Sequence, residues 1–115
     1  MNISKQFDRQ TLLLRISGEL DMQTSETLRQ TIDSEIERRG IRQVMLNLKD
    51  VSFIDSSGLG VILGRYKKLT ALGGALVITN AQPHVLKIME LSGLAKIIRF
   101  YTDETLAFEE GRGAS

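Results

Sequence analysis

Apolar residues near the start of the chain recur at every second position, which is the period of a β-strand. The positions that carry this alternation are Leu12, Leu14 and Ile16. They predict a half-buried antiparallel strand over Thr11–Ser17, and a second strand over Asn2–Phe7 completes a hairpin around the polar turn Asp8–Gln10. The next four residues, Gly18–Asp21, are expected to turn the chain away from the hairpin.

The period then lengthens to that of a helix, and a buried strand follows. A helix over Thr24–Arg39 is predicted by an apolar stripe with a spacing of four residues, formed by Leu28, Ile32 and Ile36. Gly40 follows where a left-handed C-cap is expected. Gln43–Leu48 is almost continuously apolar, which favours a central strand covered on both faces, and Lys49–Asp55 is expected to be a loop.

Helices and strands continue to alternate in the second half of the chain. The predicted elements are a helix over Ser57–Leu72, a strand over Ala75–Thr79, a helix from Pro83 to Ser92–Gly93, an edge strand over Ile97–Phe100, a final helix opened by Thr102–Glu104, and a frayed tail, Gly111–Ser115. Parallel strands joined through helices need right-handed crossovers. We therefore expect a single α/β domain over residues 1–115. Its sheet should be mixed but mostly parallel, with four or five strands, an N-terminal antiparallel hairpin and about four helices.

Composition and charge narrow the classes of function. The 115 residues include 15 basic and 14 acidic side chains, a net charge of +1, without the basic stripe of nucleic-acid-binding domains. The short basic run Arg65–Lys68 is typical of the solvated face of a helix. Cysteine is absent, which excludes disulfides and thiolate metal sites. Without a signal-peptide core or a stretch of ~18 apolar residues, a cytoplasmic protein that binds neither nucleic acid nor membrane is expected.

The segment Asp55-Ser56-Ser57-Gly58 lies where the predicted loop meets the second helix. Serine and aspartate are the residue types that satisfy the free N–H groups of a helix start. The simplest interpretation is that the two serines cap the helix, and the residue pattern alone favours it. The other interpretation is that one serine is phosphorylated, and the pattern does not choose between Ser56 and Ser57.

A phosphate at this place would act on binding more than on folding. A helix N-terminus stabilises an anion by up to ~1–2 kcal/mol, and the phosphate brings close to two negative charges beside Asp55. A partner that covers the phosphate would leave a buried charge uncompensated, which costs about 3–5 kcal/mol, or roughly 10²–10³ in affinity. Phosphorylation is therefore predicted to switch binding off without unfolding the domain.

Three glycines follow within the predicted helix, although each costs roughly 0.8–1.0 kcal/mol relative to alanine in a helix interior. They are Gly58, Gly60 and Gly64. Gly60 and Gly64 lie four residues apart and therefore share a face. The missing side chains indicate either tight packing of this helix on the sheet or a flat exposed surface for a partner, and the sequence leaves both open.

Enzymatic and cofactor-dependent functions have weaker support. Gly58–Gly64 is superficially like a dinucleotide fingerprint, but its glycines fall inside the helix, the predicted loop separates them from the strand, and no acidic residue ends the next strand. His84 is the only histidine, and a lone histidine is usually an ordinary polar residue. Asp21, Asp50 and Asp55 are placed to gather at one edge of the sheet, yet carboxylates near helix starts usually serve as caps. No catalytic residue, metal or cofactor is predicted, and a small nucleotide-binding domain or a scaffold subunit remains the alternative.

The residues Asp55–Lys67, DSSGLGVILGRYK, resemble the STAS-domain anti-sigma factor antagonists, and most closely their sporulation members. The resemblance spans essentially the whole chain in order and spacing, and it includes Gly18–Asp21, Val44–Leu48, Val51–Ile54, Ser92–Leu94 and Lys96–Phe100. One departure is Met22–Gln23, where close sporulation members tend to have two histidines, and this departure concerns fine partner specificity. The general-stress antagonists share the same switch segment, which here is Asp55–Gly58, and are the nearest alternative.

This resemblance implies a non-enzymatic switch protein without a cofactor. The unphosphorylated form would bind an anti-sigma factor that is also an ATP-dependent serine kinase, and the sigma factor would be released. Phosphorylation would end the binding, and a serine phosphatase would restore it. The family's phosphorylated serine directly follows the aspartate, which here makes it Ser56. The implied partner surface consists of Gly18, Glu19, Asp21, Asp55, Ser56, Ser57, Gly58 and Gly60.

Overall fold

Five strands form one sheet, and each strand lies beside its neighbour in the sequence. The computed structural model describes residues 1–113. The strands are β1 (Asn2–Asp8), β2 (Thr11–Leu20), β3 (Gln43–Ile54), β4 (Ala75–Thr79) and β5 (Arg99–Tyr101). β1 is antiparallel to β2, and every later pair is parallel. The prediction of a mostly parallel sheet with an N-terminal hairpin is confirmed.

The helices cover both faces of this sheet. They are α1 (Met22–Arg39), α2 (Ser56–Ala71), α3 (Pro83–Leu91) and α4 (Glu104–Gly113), with a 3₁₀ turn at Leu94–Lys96 before β5. Successive parallel neighbours joined by crossovers of one hand place α1, α2 and α3 on the same face, where their apolar side chains join the main core. α4 packs on the other face through Ala107 and Phe108. Within residues 1–113 no helix combines the length and the hydrophobicity needed to cross a bilayer.

Strands β2 and β3 are buried on both faces. Leu12 and Leu14 of β2 are fully buried in the main core, while Leu13 between them is buried in the smaller cluster under α4. The prediction that β2 is half-buried is therefore wrong, because α4 covers its second face. Its predicted antiparallel pairing with β1 is confirmed, and its other neighbour, β3, pairs with it in parallel. The corresponding prediction of a doubly covered strand for β3 is confirmed.

A shared carboxylate ties α1 to α2. Asp33 of α1 lies 3.1 Å from the Nε of Arg65 and 3.3 Å from the Nζ of Lys68, both on α2. The Arg65 side chain is only 15% exposed, so the prediction of a solvated face is wrong for this residue. Because the pair is partly withdrawn from water, salt screens it less than a surface pair, and it orients the two helices relative to each other.

Two segments predicted to be a turn and a loop are strands. β2 continues through Gly18–Leu20 and β3 through Lys49–Ile54. These extensions pair with each other, which satisfies backbone groups that neither segment satisfies within itself. The local pattern did not predict the extensions because the partner of each one is distant in the sequence.

The ends of the other elements differ less from prediction. α1 starts at Met22 instead of Thr24, and β5 covers Arg99–Tyr101 instead of the predicted Ile97–Phe100. α4 runs to Gly113, so the prediction of a frayed tail is wrong for residues 111–113. Residues 114 and 115 of that predicted tail lie outside the described residues.

Candidate functional site

The carboxyl ends of β2 and β3 lie side by side, and each leads directly into a helix. Leu20 pairs with Ile54, and the residue that follows each of them, Asp21 or Asp55, is the N-cap of α1 or α2. The Asp55 N–H donates to the Leu20 carbonyl at 3.1 Å. The structure thus brings the predicted partner-surface residues to one edge of the sheet: Gly18, Glu19, Asp21, Asp55, Ser56, Ser57, Gly58 and Gly60.

Asp55, and not a serine, caps α2. Its Oδ1 accepts hydrogen bonds from the Ser57 N–H at 2.8 Å and the Gly58 N–H at 3.1 Å. Its backbone is extended, with φ −108° and ψ −173°, as an N-cap residue requires. The interpretation of the two serines as caps is wrong, because the aspartate takes the amides that a cap serine would use.

Ser56 occupies the first position of α2, and its side chain is exposed. The hydrogen bonds that cap the helix pass through Asp55 and do not use the Ser56 hydroxyl. Ser57, one residue later, is partly buried. Exposure therefore favours Ser56 over Ser57 as the serine that a modifying enzyme can reach, a distinction that the residue pattern did not make.

α1 begins with the same kind of cap, closed into a capping box. The Oδ1 of Asp21 accepts from the Thr24 N–H at 3.0 Å, and the Asp21 N–H donates to the Thr24 Oγ1 at 2.9 Å. The hydrogen bond from the Thr24 backbone lowers the pKa of Asp21, because it favours the ionised carboxylate. Asp21 therefore stabilises the helix start in addition to its place on the predicted surface.

The glycines of α2 divide into one packed position and two open ones. A Cβ added to Gly58 would lie 2.8 Å from the Cγ1 of Ile54 and 2.9 Å from the carbonyl oxygen of Leu20. A Cβ added to Gly60 or Gly64 would meet nothing within 4 Å. Tight packing on the sheet therefore accounts for Gly58 alone, and the other two glycines leave an open surface on α2.

Two exposed apolar side chains at this edge were not among the predicted partner-surface residues. Met22, the first residue of α1, is 77% exposed, and Phe53, the last residue but one of β3, is 43% exposed. Large apolar side chains next to a polar rim are typical of interaction surfaces. The available signal was that Met22 lies outside the apolar stripe of α1 and that Phe53 lies two residues before the N-cap Asp55.

Other residues with chemical potential do not form a site. Asp50 pairs with Ser17 along the strands and is not a cap. In the part of the chain that the structure describes, no three His, Asp or Glu side chains are grouped as a metal would require. β3 reaches α2 through Asp55 alone, so the loop predicted before the glycines is absent. Gly58–Gly64 lies within α2, whereas the glycines of a dinucleotide fingerprint lie in the turn between the strand and the helix.

The order of the elements and this edge of the sheet are those of a known family. Residues 2–107 match the STAS domain, and the chain belongs to the STAS-domain family. A protein of Paenibacillus polymyxa named anti-sigma F factor antagonist is 42% identical over 96% of this chain and 94% of its own length. The anti-sigma-B factor antagonist of Bacillus subtilis is 30% identical over 85% of this chain and 88% of its own length.

A solved relative has the same fold in two chemical states. The anti-sigma factor antagonist SpoIIAA in its unphosphorylated form has a TM-score of 0.86 and 32% identity, with 97% of each chain covered. The phosphorylated form of the Bacillus protein has a TM-score of 0.76 and 30% identity, with 95% of this chain and 98% of that chain covered. Within the STAS family the chain therefore belongs to the anti-sigma factor antagonists, which are regulatory proteins, and the resemblance inferred from the sequence is confirmed.

Proposed function

We propose that the chain acts as a single STAS domain over residues 1–115 whose unphosphorylated form binds an anti-sigma factor and thereby releases a sigma factor. The anti-sigma factor, acting as an ATP-dependent serine kinase, phosphorylates Ser56 and ends the binding, and a serine phosphatase restores it. The observation that carries this proposal is the exposed Ser56 hydroxyl at the start of α2, where Asp55 supplies the cap.

The position of Ser56 explains why phosphorylation should leave the fold intact. Because its hydroxyl is not part of the cap, a phosphate does not disturb the hydrogen bonds from Ser57 and Gly58 to Asp55. The positive end of the α2 dipole favours the phosphate, whereas the adjacent Asp55 carboxylate repels it. These effects oppose each other, so we expect little change in the free energy of unfolding.

A bound partner changes this balance because it excludes water from the phosphate. Close to two negative charges then lie beside Asp55 and near Glu19 on the neighbouring strand end, and neither Gly18–Asp21 nor Asp55–Gly60 contains a lysine or arginine. One uncompensated buried charge costs about 3–5 kcal/mol, which corresponds to roughly 10²–10³ in affinity. Phosphorylation therefore releases the partner.

The sporulation branch of the family is the preferred assignment. It is supported by the higher identity to the relative named for the anti-sigma F factor, 42% against 30% for the one named for the anti-sigma-B factor. Met22–Gln23 stands where close sporulation members tend to have two histidines, and exposed Met22 therefore bears on the choice of partner. The general-stress branch is the alternative.

The proposed function requires no active site and no cofactor in this chain. The chain is the substrate of the kinase and of the phosphatase, and those partners carry the catalytic groups. We place it in the cytoplasm, where the released sigma factor acts on transcription.

Phosphorylation by the anti-sigma F factor of Paenibacillus polymyxa with ATP tests the proposal. We expect one phosphate per chain, assigned to Ser56 by mass spectrometry, and no labelling of Ser56→Ala. Ser57→Ala is the matched control and should still carry one phosphate at Ser56, since it leaves the labelled hydroxyl in place. Equal labelling of Ser56→Ala and the wild type would overturn the assignment, and the same reaction with the Bacillus subtilis anti-sigma-B factor compares the two branches.

A further inference from the structure

β3 contains a bulge immediately before the switch segment. β3 pairs with β4 only as far as Asn47, whereas it pairs with β2 as far as Ile54. Along this extension Gly18 of β2 is opposite Val51, and the next residue, Glu19, is opposite Phe53. Ser52 is therefore the extra, unpaired residue of a β-bulge, and only three residues separate it from Ser56.

Side chains from the start of α3, and not another strand, cover the outer edge of this extension. A bulge leaves ladder groups unpaired, and β4 ends before it reaches them. The Gln82 Nε2 donates to the Lys49 carbonyl at 2.7 Å. The His84 Nε2 hydrogen-bonds to the carbonyl of Ser52, the bulge residue. Because a carbonyl can only accept, this ring nitrogen must carry a proton.

We propose that His84 is a positioning residue for Ser56, an inference that rests on the proposed function of that serine. His84 holds the bulge on its open side, while β2 holds it on the other side. Extended backbone connects the bulge to the Asp55 cap and hence to the first turn of α2. Without His84 the segment from Ser52 to Asp55 keeps its pairing with β2 and the core packing of Ile54, but the bulge loses the contact on its open side, and Ser56 is presented to the kinase in a wider range of orientations.

The hydrogen bond between His84 and Ser52 supports β3 locally and is not part of the hydrophobic core. His84 and Ser52 are both exposed, so the hydrogen bond accompanies little burial of apolar surface. The buried residues on either side of Ser52 in β3, Val51 and Ile54, pack in the main core with or without the histidine. Loss of His84 should therefore loosen the segment before Ser56 while the domain as a whole stays folded.

The decisive measurement compares His84→Ala with the wild type in two assays. In the first, the anti-sigma F factor of Paenibacillus polymyxa and ATP phosphorylate the full chain, and we expect kcat/KM to fall about three- to tenfold, the range for one lost hydrogen bond. In the second, amide hydrogen exchange of the free chain should accelerate by a similar factor at Phe53–Ser57. Exchange in β4 should accelerate less than at Phe53–Ser57, and the melting temperature should fall by no more than about 6 °C, the shift that one lost hydrogen bond produces in a domain of this size.

Conservative variants distinguish the hydrogen bond from the bulk of the side chain. His84→Gln places an amide N–H near the position of Nε2 and should restore both readouts, whereas the shorter His84→Asn should behave like alanine. Lys87→Ala, an exposed change on the same helix, is the matched control and should resemble the wild type.

Two results would overturn the positioning role: wild-type kinetics and exchange in His84→Ala, or faster exchange throughout the sheet with a large fall in melting temperature. The exchange experiment needs no kinase, so the two proposals can fail separately. Labelling that persists in Ser56→Ala removes the proposed function, whereas normal labelling of Ser56 in His84→Ala removes only the role of the histidine.

Discussion

The starts of α1 and α2 are built alike, yet they offer different groups to solvent. Each helix follows a strand of the parallel pair β2–β3, and each begins after an aspartate whose carboxylate accepts backbone hydrogen bonds. The first helical residue is then free of any capping role in both. That residue is an exposed methionine, Met22, in α1 and an exposed serine, Ser56, in α2.

The difference shows that a switch needs a hydroxyl that the fold does not use. In α1 the nearest hydroxyl belongs to Thr24, which donates to the Glu19 carbonyl at 2.6 Å and accepts from the Asp21 N–H. A phosphate on Thr24 would break that cap. The Ser56 hydroxyl makes no such contribution at α2, so a phosphate on Ser56 should change the free energy of unfolding little.

The largest expected effect is on partner binding and contrasts Ser56→Asp with Met22→Ala. Ser56→Asp should weaken binding to the anti-sigma F factor of Paenibacillus polymyxa roughly 10²-fold, because it places an uncompensated charge beside Asp55 in the covered surface. Met22→Ala should weaken it less, by about tenfold, the lower end of the value of one buried apolar side chain. Calorimetric titration measures both affinities. Tight binding by Ser56→Asp, or a melting temperature well below that of the wild type, would contradict the comparison.

The next effect is on stability and contrasts two glycines of α2. Gly58→Ala should lower the free energy of unfolding by about 1–3 kcal/mol, because its Cβ would overlap Ile54 and the Leu20 carbonyl. Gly60→Ala has open space around its Cβ and should raise stability by up to ~1 kcal/mol, since alanine is the better helix former. Urea unfolding provides both values. If Gly58→Ala were as stable as Gly60→Ala, α2 would not depend on close approach to the strand ends.

The smallest expected effect is on the pH dependence of the stability that Asp21 contributes as the N-cap of α1. The Thr24 hydrogen bond lowers the pKa of Asp21 in the folded chain. Its contribution to stability is therefore complete above the unfolded-state pKa of about 3.9 and disappears as the pH falls through the lower folded-state pKa. Asp21→Asn, which still caps, should match the wild type near pH 7 but lose less stability below about pH 4. Urea midpoints between pH 7 and pH 3 test this, and an identical acid profile in the two chains would refute it.

Much of the fold could be predicted because its elements have local signatures. α1 was predicted from its four-residue apolar stripe, and the strand Ala75–Thr79 was predicted with the bounds that the structure shows. The extensions of β2 and β3 were not, because Gly18–Leu20 and Lys49–Ile54 become strands only by pairing with each other. His84 was set aside for the same reason, since its partner, Ser52, belongs to another part of the sequence.

The sequence by itself determined the α/β order of the elements and the location of Asp55–Gly58 at a helix start, and its resemblance to a family singled out Ser56. The tertiary structure decided that Asp55 is the cap, that Gly58 is packed while Gly60 is open, and that Ser56 is more exposed than Ser57. The physical reason is the range of the forces involved. Periodicity and capping preferences act within a few residues, whereas exposure and close packing depend on strands that meet only after the chain has folded.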